Sequence, residues 1–521
     1  RLTFDLLQNG LTTAVFQLES RGLKEYLVKI KPSSFEDIIS VVALYRPGPL
    51  DAGMVDTFIK RKHGSEKTDY LGDKDIEKVL KNTYGVIVYQ EQVMQLAQEY
   101  SGFSLGQADL LRRAMGKKIP EEMERQRPEF IKGALKKGKI ERAAEGLFDQ
   151  IQTFAGYGFN KAHSAGYGLI AFQTAWLKAH YPVEFLSAAL SSDMDDSDRV
   201  RLLLDDCKNF EIDILKPDVN KSQLNFVNQG DNEILYGLGA VKGLGKAAIE
   251  NIISEREQKP FENLYDFCAR VDLSKVDKRG IEPLIKCGAM DSFNLSRKEM
   301  LESLEDAMKY AKQNTLTQES GISDLFGGIS ESNDFIPVKK DKYDDFANSK
   351  FEFSALGFYL ETHPVKEHYW ELKKLGTGSI ENVMEERVNT ISGVIIRQNR
   401  IQTRRGPLVF ATLDDGTDRI ELVISSEVLD SFEGNLNPQT IYIASGDVTF
   451  EKDTQKKNIG LQKKMRVTDI KSLEEARMKS VTKLKINIEG QEKKDVLDIV
   501  ENLKAIALIE NNTQGSQIEM Q

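Results

Sequence analysis

A chain of 521 residues that is 40% hydrophobic and 29% charged has material for three or four domains with cores of their own, and it is not a mainly disordered polymer. No run of about 18 apolar residues occurs, which excludes a membrane-spanning helix. The formal net charge of −10 excludes a generally basic nucleic-acid coat but leaves room for local basic surfaces.

Residues 1 to about 225 read as mostly helical, punctuated by turns such as "RPGPL" (Arg46 to Leu50). In "ADLLRRAMGKK" (Ala108 to Lys118), Ala108, Leu111 and Met115 share one helical face while Arg112 and Arg113 project away from it. Lys117 and Lys118 follow Gly116 at the expected helix end. From Arg112 to Arg142 there are 11 Lys or Arg against 5 Glu, a local excess of +6. Forked arginine donors suit phosphate oxygens. Basic residues also gather at helix C-termini to complement the dipole, so both readings stand.

"AGYGFNKAHSAGYG" (Ala155 to Gly168) alternates glycines with aromatics before Lys161 and His163. Glycine permits close backbone approach at an entropic cost. Tyr157 and Phe159 suit a base-stacking platform, with Lys161 and His163 on phosphate or base. The alternative is a helix corner whose aromatics are core and whose His163 is a helix-start residue.

Two short helix pairs with glycine turns are expected over residues 226 to 293. "LYGLGAVKGLGKAAIENIISERE" (Leu235 to Glu257) reads as helix, Gly-x-Gly hairpin, helix. Gly243 and Gly245 form the turn, flanked by Lys242 and Lys246, with Ala247, Ile249 and Ile252 on the second helix. Such a hairpin offers backbone N–H groups at a helix N-terminus and grips DNA backbone without reading sequence; a plain αα-hairpin is the alternative. "KVDKRGIEPLIKCGAMDSF" (Lys275 to Phe293) looks like its partner pair.

Residues 296 to 313 read as a helix capped by Ser296 with Glu299 three residues on. Residues 314 to 350 read as a polar linker. Within it "ISDLFG" (Ile322 to Gly327) carries Leu325 and Phe326, fitting a short docking motif or packing on their own domain. From Asn389 to Ile470, five β-rich runs suit a small closed barrel of the OB type. "KLKINIE" and "KKDVLDIVENLKAI" start an α/β unit. The fold class expected is multidomain α+β.

Cys207, Cys268 and Cys287, odd in number and without CxxC spacing, argue against a disulfide framework or zinc site and fit a reducing cytoplasm. No secretory leader is expected, and Arg1 at the start with "TQGSQIEMQ" at the end suggests a fragment truncated at both ends. No Ser/His/Asp set, HExxH or Walker A sequence is present. Asp205–Asp206 and Asp414–Asp415 lack Asp-x-Asp spacing on an apolar strand, and "TLDDGT" is more simply a β-turn.

Four long stretches carry a resemblance: "TTAVFQLESRGLKEYL", "VALYRPGPLDAGMVDTFIKRKHG", "TYGVIVYQEQVMQLAQEYSGFSLGQADLLRRAMGKK" and "FAGYGFNKAHSAGYGLIAFQTAWLKAHYPVEF". Together they closely resemble the bacterial replicative DNA polymerase III alpha subunits, the C-family polymerases, over nearly the whole chain. The resemblance implies fingers over residues 1–225, a helix-hairpin-helix region over 226–295 and a clamp-binding linker with connecting segment over 296–388. An OB fold over 389–470 and the start of a clamp-loader (tau)-binding domain over 477–521 follow. It implies that Arg112, Arg113, Lys117 and Lys161 bind dNTP phosphates and that Tyr157, Asn160 and His163 face the nascent base pair. Asp324, Leu325 and Phe326 would bind the sliding clamp, although Ile322 stands where the family carries Gln.

The family's three catalytic aspartates lie in a palm upstream of "TTAVFQLES", after a PHP domain. The resemblance therefore places no catalytic or metal-binding residue in this chain, and Mg²⁺ would be held by residues outside it. The whole protein would be a cytoplasmic DNA-directed DNA polymerase; this piece alone would bind but not polymerise. Its partners would be primer–template DNA, dNTPs, the sliding clamp, the tau subunit and, through the N-terminal region, the proofreading exonuclease, with no membrane. Two other readings remain open: a non-catalytic DNA-binding scaffold that recruits clamp and loader, and the error-prone relative of the same family.

Overall fold

The computed structural model describes residues 1–116, 120–154, 158–320, 345–361, 363–385, 387–403, 406–432, 436–452, 461–480, 483–486 and 517–520. The chain divides into two compact units. The first is built on the residues up to Ser320 with Ser354–Phe358, the second on Tyr359–Lys452 and the strands after it. No described helix is long and apolar enough to cross a membrane.

The first unit is helical from Leu2–Gln8 through Ser197–Lys208, as its 3.6-residue periodicity predicts. Two cores organise it. One gathers Leu7, Val15, Leu18, Leu27, Ile38, Phe58, Tyr89, Ala171 and Ala175. The other gathers Leu96, Tyr100, Ala108, Leu111, Met115, Phe130, Phe148 and Phe154. The expected face of Ala108, Leu111 and Met115 is indeed buried. Stacked, edge-on and tilted contacts of Phe130 with Tyr100, Phe103 and Phe148, in that order, fix the second core, with centroids 6.1, 5.9 and 5.3 Å apart.

The long helix Lys161–His180 packs one face on the first core through Ala171 and Ala175. On that face Lys178 is fully buried. Its ammonium donates to the carbonyls of Leu11 (2.9 Å) and Thr13 (2.7 Å) and pairs with Asp206 at 2.6 Å. Burial lowers the Lys178 pKa, and the Asp206 carboxylate opposes that shift.

The stretch before the Gly-x-Gly hairpin corrects an expectation. No helix occupies it: β2 (Val227–Gly230) and β3 (Glu233–Leu235) form an antiparallel pair, and β1 (Asp213–Leu215) adds parallel to β3. A 3₁₀ turn, Leu238–Ala240, follows. A Cβ at Gly237 would lie 2.6 Å from the Asn225 carbonyl carbon, so the backbone here packs too closely for a helix with side chains. The helices Lys246–Gln258, Leu264–Arg270 and Lys278–Lys286 complete the region, with Ala248, Ile249 and Ile252 inward and Ala247 exposed.

Ser296 and Glu299 form the expected reciprocal cap: the Ser296 N–H donates to the Glu299 carboxylate (2.7 Å), and the Glu299 N–H donates to the Ser296 hydroxyl (3.2 Å). The helix runs Arg297–Ser320, and another spans Asp345–Leu356. Both edges of the expected linker are therefore helical; its centre lies outside the described residues.

In the second unit β4 (Val388–Thr403), β5 (Gly406–Asp414), β6 (Arg419–Ile424), β7 (Ile441–Lys452) and β8 (Leu461–Ser472) close a barrel in the order β4-β5-β6-β8-β7. Burial alternates along β6, as one inward face requires. The β4–β5 pair continues through the register Arg397↔Thr412 to Thr403↔Gly406, where β4 is exposed. Asp415 closes the β5–β6 turn, its carboxylate accepting from the Thr417 and Asp418 N–H groups at 2.8 and 3.0 Å. Further on, β9 (Lys483–Ile486) pairs parallel with β10 (Gln517–Met520).

All three cysteines are buried and unpaired with one another. Burial pushes the Cys207 and Cys268 thiols up to about 12.

Candidate nucleic-acid interface

The glycine-aromatic stretch leads into the Lys161–His180 helix. Asn160 is its N-cap, the side-chain oxygen accepting from the His163 N–H at 2.9 Å. The Phe159 carbonyl accepts from the Gln90 N–H at 2.9 Å, which ties the bend to the helix Gln90–Ser101. A Cβ on Gly158 would meet Gln90 at 3.1 Å, Phe154 at 3.2 Å and Met115 at 3.4 Å. The close approach at Gly158 is therefore made by the protein's own side chains. Met115 belongs to the last turns of the helix Leu105–Gly116, so the bend and the Arg112–Arg113 helix end meet here.

A ladder of rings runs out from this bend. The Arg46 guanidinium lies 4.0 Å from the Phe159 ring centroid, and burial lowers its pKa. Phe159 meets His163 edge-on at 5.4 Å. One turn further, His163 meets Tyr167 at 4.5 Å, and Tyr167 meets Phe16 at 5.5 Å. His163, Tyr167 and Phe16 are exposed.

Arg112, Arg113 and Lys161 each already hold a carboxylate. Arg112 and Arg113 share Asp109 from i+3 and i+4, each at 2.8 Å. The hydrogen bond from Arg112, with the Arg113 charge behind it, keeps the Asp109 carboxyl below its usual range. Lys161 pairs with Glu36 at 3.0 Å and lies 5.5 Å from the Tyr89 ring centroid. Pairs this open to solvent are strongly screened, so a phosphate dianion can replace either carboxylate at little cost. Lys117 and Tyr157 lie outside the described residues, as do Asp324, Leu325 and Phe326.

Comparison with known proteins finds three family matches along the chain. Residues 1–138 match the bacterial DNA polymerase III alpha subunit finger domain. Residues 211–300 match a helix-hairpin-helix motif, and residues 390–473 an OB-fold nucleic acid binding domain. The DNA polymerase III subunit alpha of Pasteurella multocida is 42% identical over 516 residues, covering 97% of this chain and 44% of the relative. That of Vibrio cholerae is 43% identical over 498 residues, covering 93% and 42%. That of Escherichia coli K12 is 41% identical over 508 residues, covering 95% and 43%.

The chain belongs to the bacterial DNA polymerase III alpha subunit family. It spans less than half the length of these relatives.

The alpha-family hairpin has two glycines with different roles. Gly243 sits at φ +82°, a conformation that side-chain-bearing residues rarely adopt. Gly245 is the N-cap of Lys246–Gln258, and a Cβ there would meet nothing within 4 Å. That open space is where a DNA backbone could approach the helix start. Lys246 is exposed and only loosely paired with Glu250, at 3.7 Å. Lys242 is anchored, its N–H donating to the Ala355 carbonyl at 2.9 Å. Its ammonium packs where a Cβ on Gly357 would be, and burial lowers its pKa. Lys246 is thus the better placed of the two for phosphate.

Membership implies Mg²⁺, but the residues present do not fit it. Among the described residues no three His, Cys, Asp or Glu side chains converge. Asp206 is held by Lys178, Asp205 by Lys208 at 2.7 Å, and Asp414 by Arg419 at 2.7 Å.

Sequence reasoning missed Arg46, Phe16 and Tyr167 as members of the ring ladder. Arg46 sat in a stretch read as turn punctuation. Tyr167 carried a signal, its i+4 spacing from His163. Phe16 carried none, because its partner is about 150 residues away in sequence.

Proposed function

We propose that this chain handles primer–template DNA and the incoming deoxynucleoside triphosphate for a template-directed polymerase of chromosomal replication. The observation that carries this is the start of the Lys161–His180 helix. There a ladder of exposed rings begins at a cation, beside the helix end that bears Arg112 and Arg113. Rings stack bases of any sequence. Arg112, Arg113 and Lys161 exchange carboxylate for triphosphate oxygens and neutralise charge that builds on the leaving pyrophosphate. The hairpin at Gly243–Lys246 and the OB barrel hold the duplex backbone and the single strand.

The nucleotidyl-transfer chemistry then belongs to residues outside this chain, whose piece binds without polymerising. The resemblance alone supports a sliding clamp as partner of Asp324, Leu325 and Phe326, a clamp-loader subunit beyond residue 477, a proofreading exonuclease, and a cytoplasmic setting.

The test is binding of this chain to a fluorescent primer–template over a salt series. Log affinity should fall linearly with log salt, and Arg112→Glu with Arg113→Glu should flatten the slope by about two. Binding that ignores salt, or a double variant with the parent slope, would refute the phosphate role.

A further inference from the structure

The loop Gly10–Ser20 is backbone held against its own preference. Ala14 (φ 60°) and Gln17 (φ 63°) are both left-handed, two side-chain-bearing residues within four positions. Such conformations persist only where the surroundings over-determine them, and they cluster at functional sites.

Here the surroundings do so from every side. The Thr12 hydroxyl donates to the Leu18 carbonyl at 2.5 Å. The Ala14 N–H donates to Glu19 at 3.1 Å, and Arg199 grips that same carboxylate oxygen at 2.6 Å. Lys24 donates to the Thr13 hydroxyl at 2.5 Å. Buried Lys178 holds the Leu11 and Thr13 carbonyls, and the Phe16 N–H donates to the Thr174 hydroxyl at 3.1 Å.

What the loop buries and what it presents are the reverse of simple packing. The aliphatic Val15 and Leu18 are fully buried, while the aromatic Phe16 between them is 38% exposed. Its ring lies 5.5 Å from that of Tyr167, also 38% exposed, at an interplanar angle of 40°. The exposed Gln17 follows directly. Phe16 thus keeps part of its ring in solvent while its two neighbours fill the core.

We propose that Phe16 and Tyr167 form a stacking wall for an unpaired nucleobase, with the Gln17 amide beside it to meet the base edge. The proposal rests on the polymerase reading above and extends it to the far end of the ring ladder. The ladder sets rings in successive contact from Phe159 to Phe16, and an aromatic face accepts every base. The base belongs either to the incoming triphosphate or to the template strand beyond the primer end; the chemistry is the same.

Two arms of one experiment separate these sources. In the first, 2-aminopurine occupies the first unpaired template position of a primer–template. In the second, it is the base of a free deoxynucleoside triphosphate added to the unlabelled primer–template. Its fluorescence reports stacking, and the anisotropy of a dye on the duplex reports DNA binding in parallel. The chain should quench the probe in one arm. Phe16→Leu and Tyr167→Leu should each abolish that quenching and weaken that probe's binding on the order of tenfold, whereas Phe16→Trp should preserve both. Quenching that survives Phe16→Leu and Tyr167→Leu, or is absent from both arms while anisotropy shows bound DNA, would overturn the wall and leave the polymerase reading standing. No anisotropy change with the parent chain would overturn that reading and the wall with it. Unchanged thermal melting of Phe16→Leu excludes loss of fold as the cause.

Discussion

Replacing Lys178 with Met should be among the most destabilising single changes in the first unit. Methionine keeps the length of the aliphatic stem, so little cavity opens. What is lost is an ammonium that is wholly buried and bonded to Asp206, Leu11 and Thr13 at 2.6, 2.9 and 2.7 Å. The Asp206 carboxylate, itself buried, is left without its countercharge. Breaking one side of such a pair costs about 3–5 kcal/mol. The two orphaned carbonyls lie within that range once water or backbone movement relieves part of their loss. The chain has two tryptophans, and one of them, Trp176, sits two residues before Lys178 on the same helix. In a Trp370→Phe background, urea unfolding followed by Trp176 fluorescence reads this unit. With a slope of about 3 kcal/mol/M the midpoint should drop by about 1–2 M. Adding Asp206→Leu should restore a good part of it, because the stranded charge is then gone. A midpoint shift below about 0.3 M for Lys178→Met, or a double variant weaker than the single, would refute the reasoning.

Asp109→Asn should release Arg112 and Arg113 from their shared carboxylate, tighten primer–template binding severalfold at low salt and steepen the salt slope by about one; weaker or unchanged binding would mean Asp109 orients the arginines instead. Gly243→Ala should cost about 1–2 kcal/mol, because an L-residue must take the left-handed conformation, read as a lower urea midpoint. Gly245→Ala should leave stability within about 0.5 kcal/mol yet weaken DNA binding, since its side has open space only in the free protein. Burial alone would raise the Asp37 carboxyl, but hydrogen bonds from Lys62, Ser33 and Ser34 bring it below its usual value. Its folded pKa is thus depressed, so its stabilisation is present above about pH 4 and lost as pH falls through the lower folded value. Urea midpoints of the parent and Asp37→Asn should therefore converge toward pH 3, and parallel curves would refute this.

The elements that sequence predicts well are those whose logic is local. The Ser296–Glu299 cap, the buried face of Ala108, Leu111 and Met115, and the five barrel strands all follow from spacing alone. The β2–β3 hairpin escaped because "VNQGDNEIL" is too polar and glycine-bearing to signal strands; pairing with β1 and close backbone packing decide it. Lys178, in "TAWLKAHYP", looks like any solvated lysine until Asp206 is folded against it. At the candidate interface, Arg112, Arg113, Lys161 and His163 are visible as residue types in a pattern. The ladder was not, because Phe16 and Arg46 reach it from other parts of the chain.

The buried cysteines have a practical consequence. A thiol held at about 12 is almost entirely protonated at neutral pH, and only the thiolate reacts with electrophiles. Cys207 and Cys268 should therefore ignore maleimides for as long as the chain stays folded, and Cys287 is shielded by burial. One cysteine introduced at an exposed position would then take a dye alone, with no native thiol removed first. A pair of them, one in each unit, would make an intramolecular ruler for distance changes when nucleic acid is added.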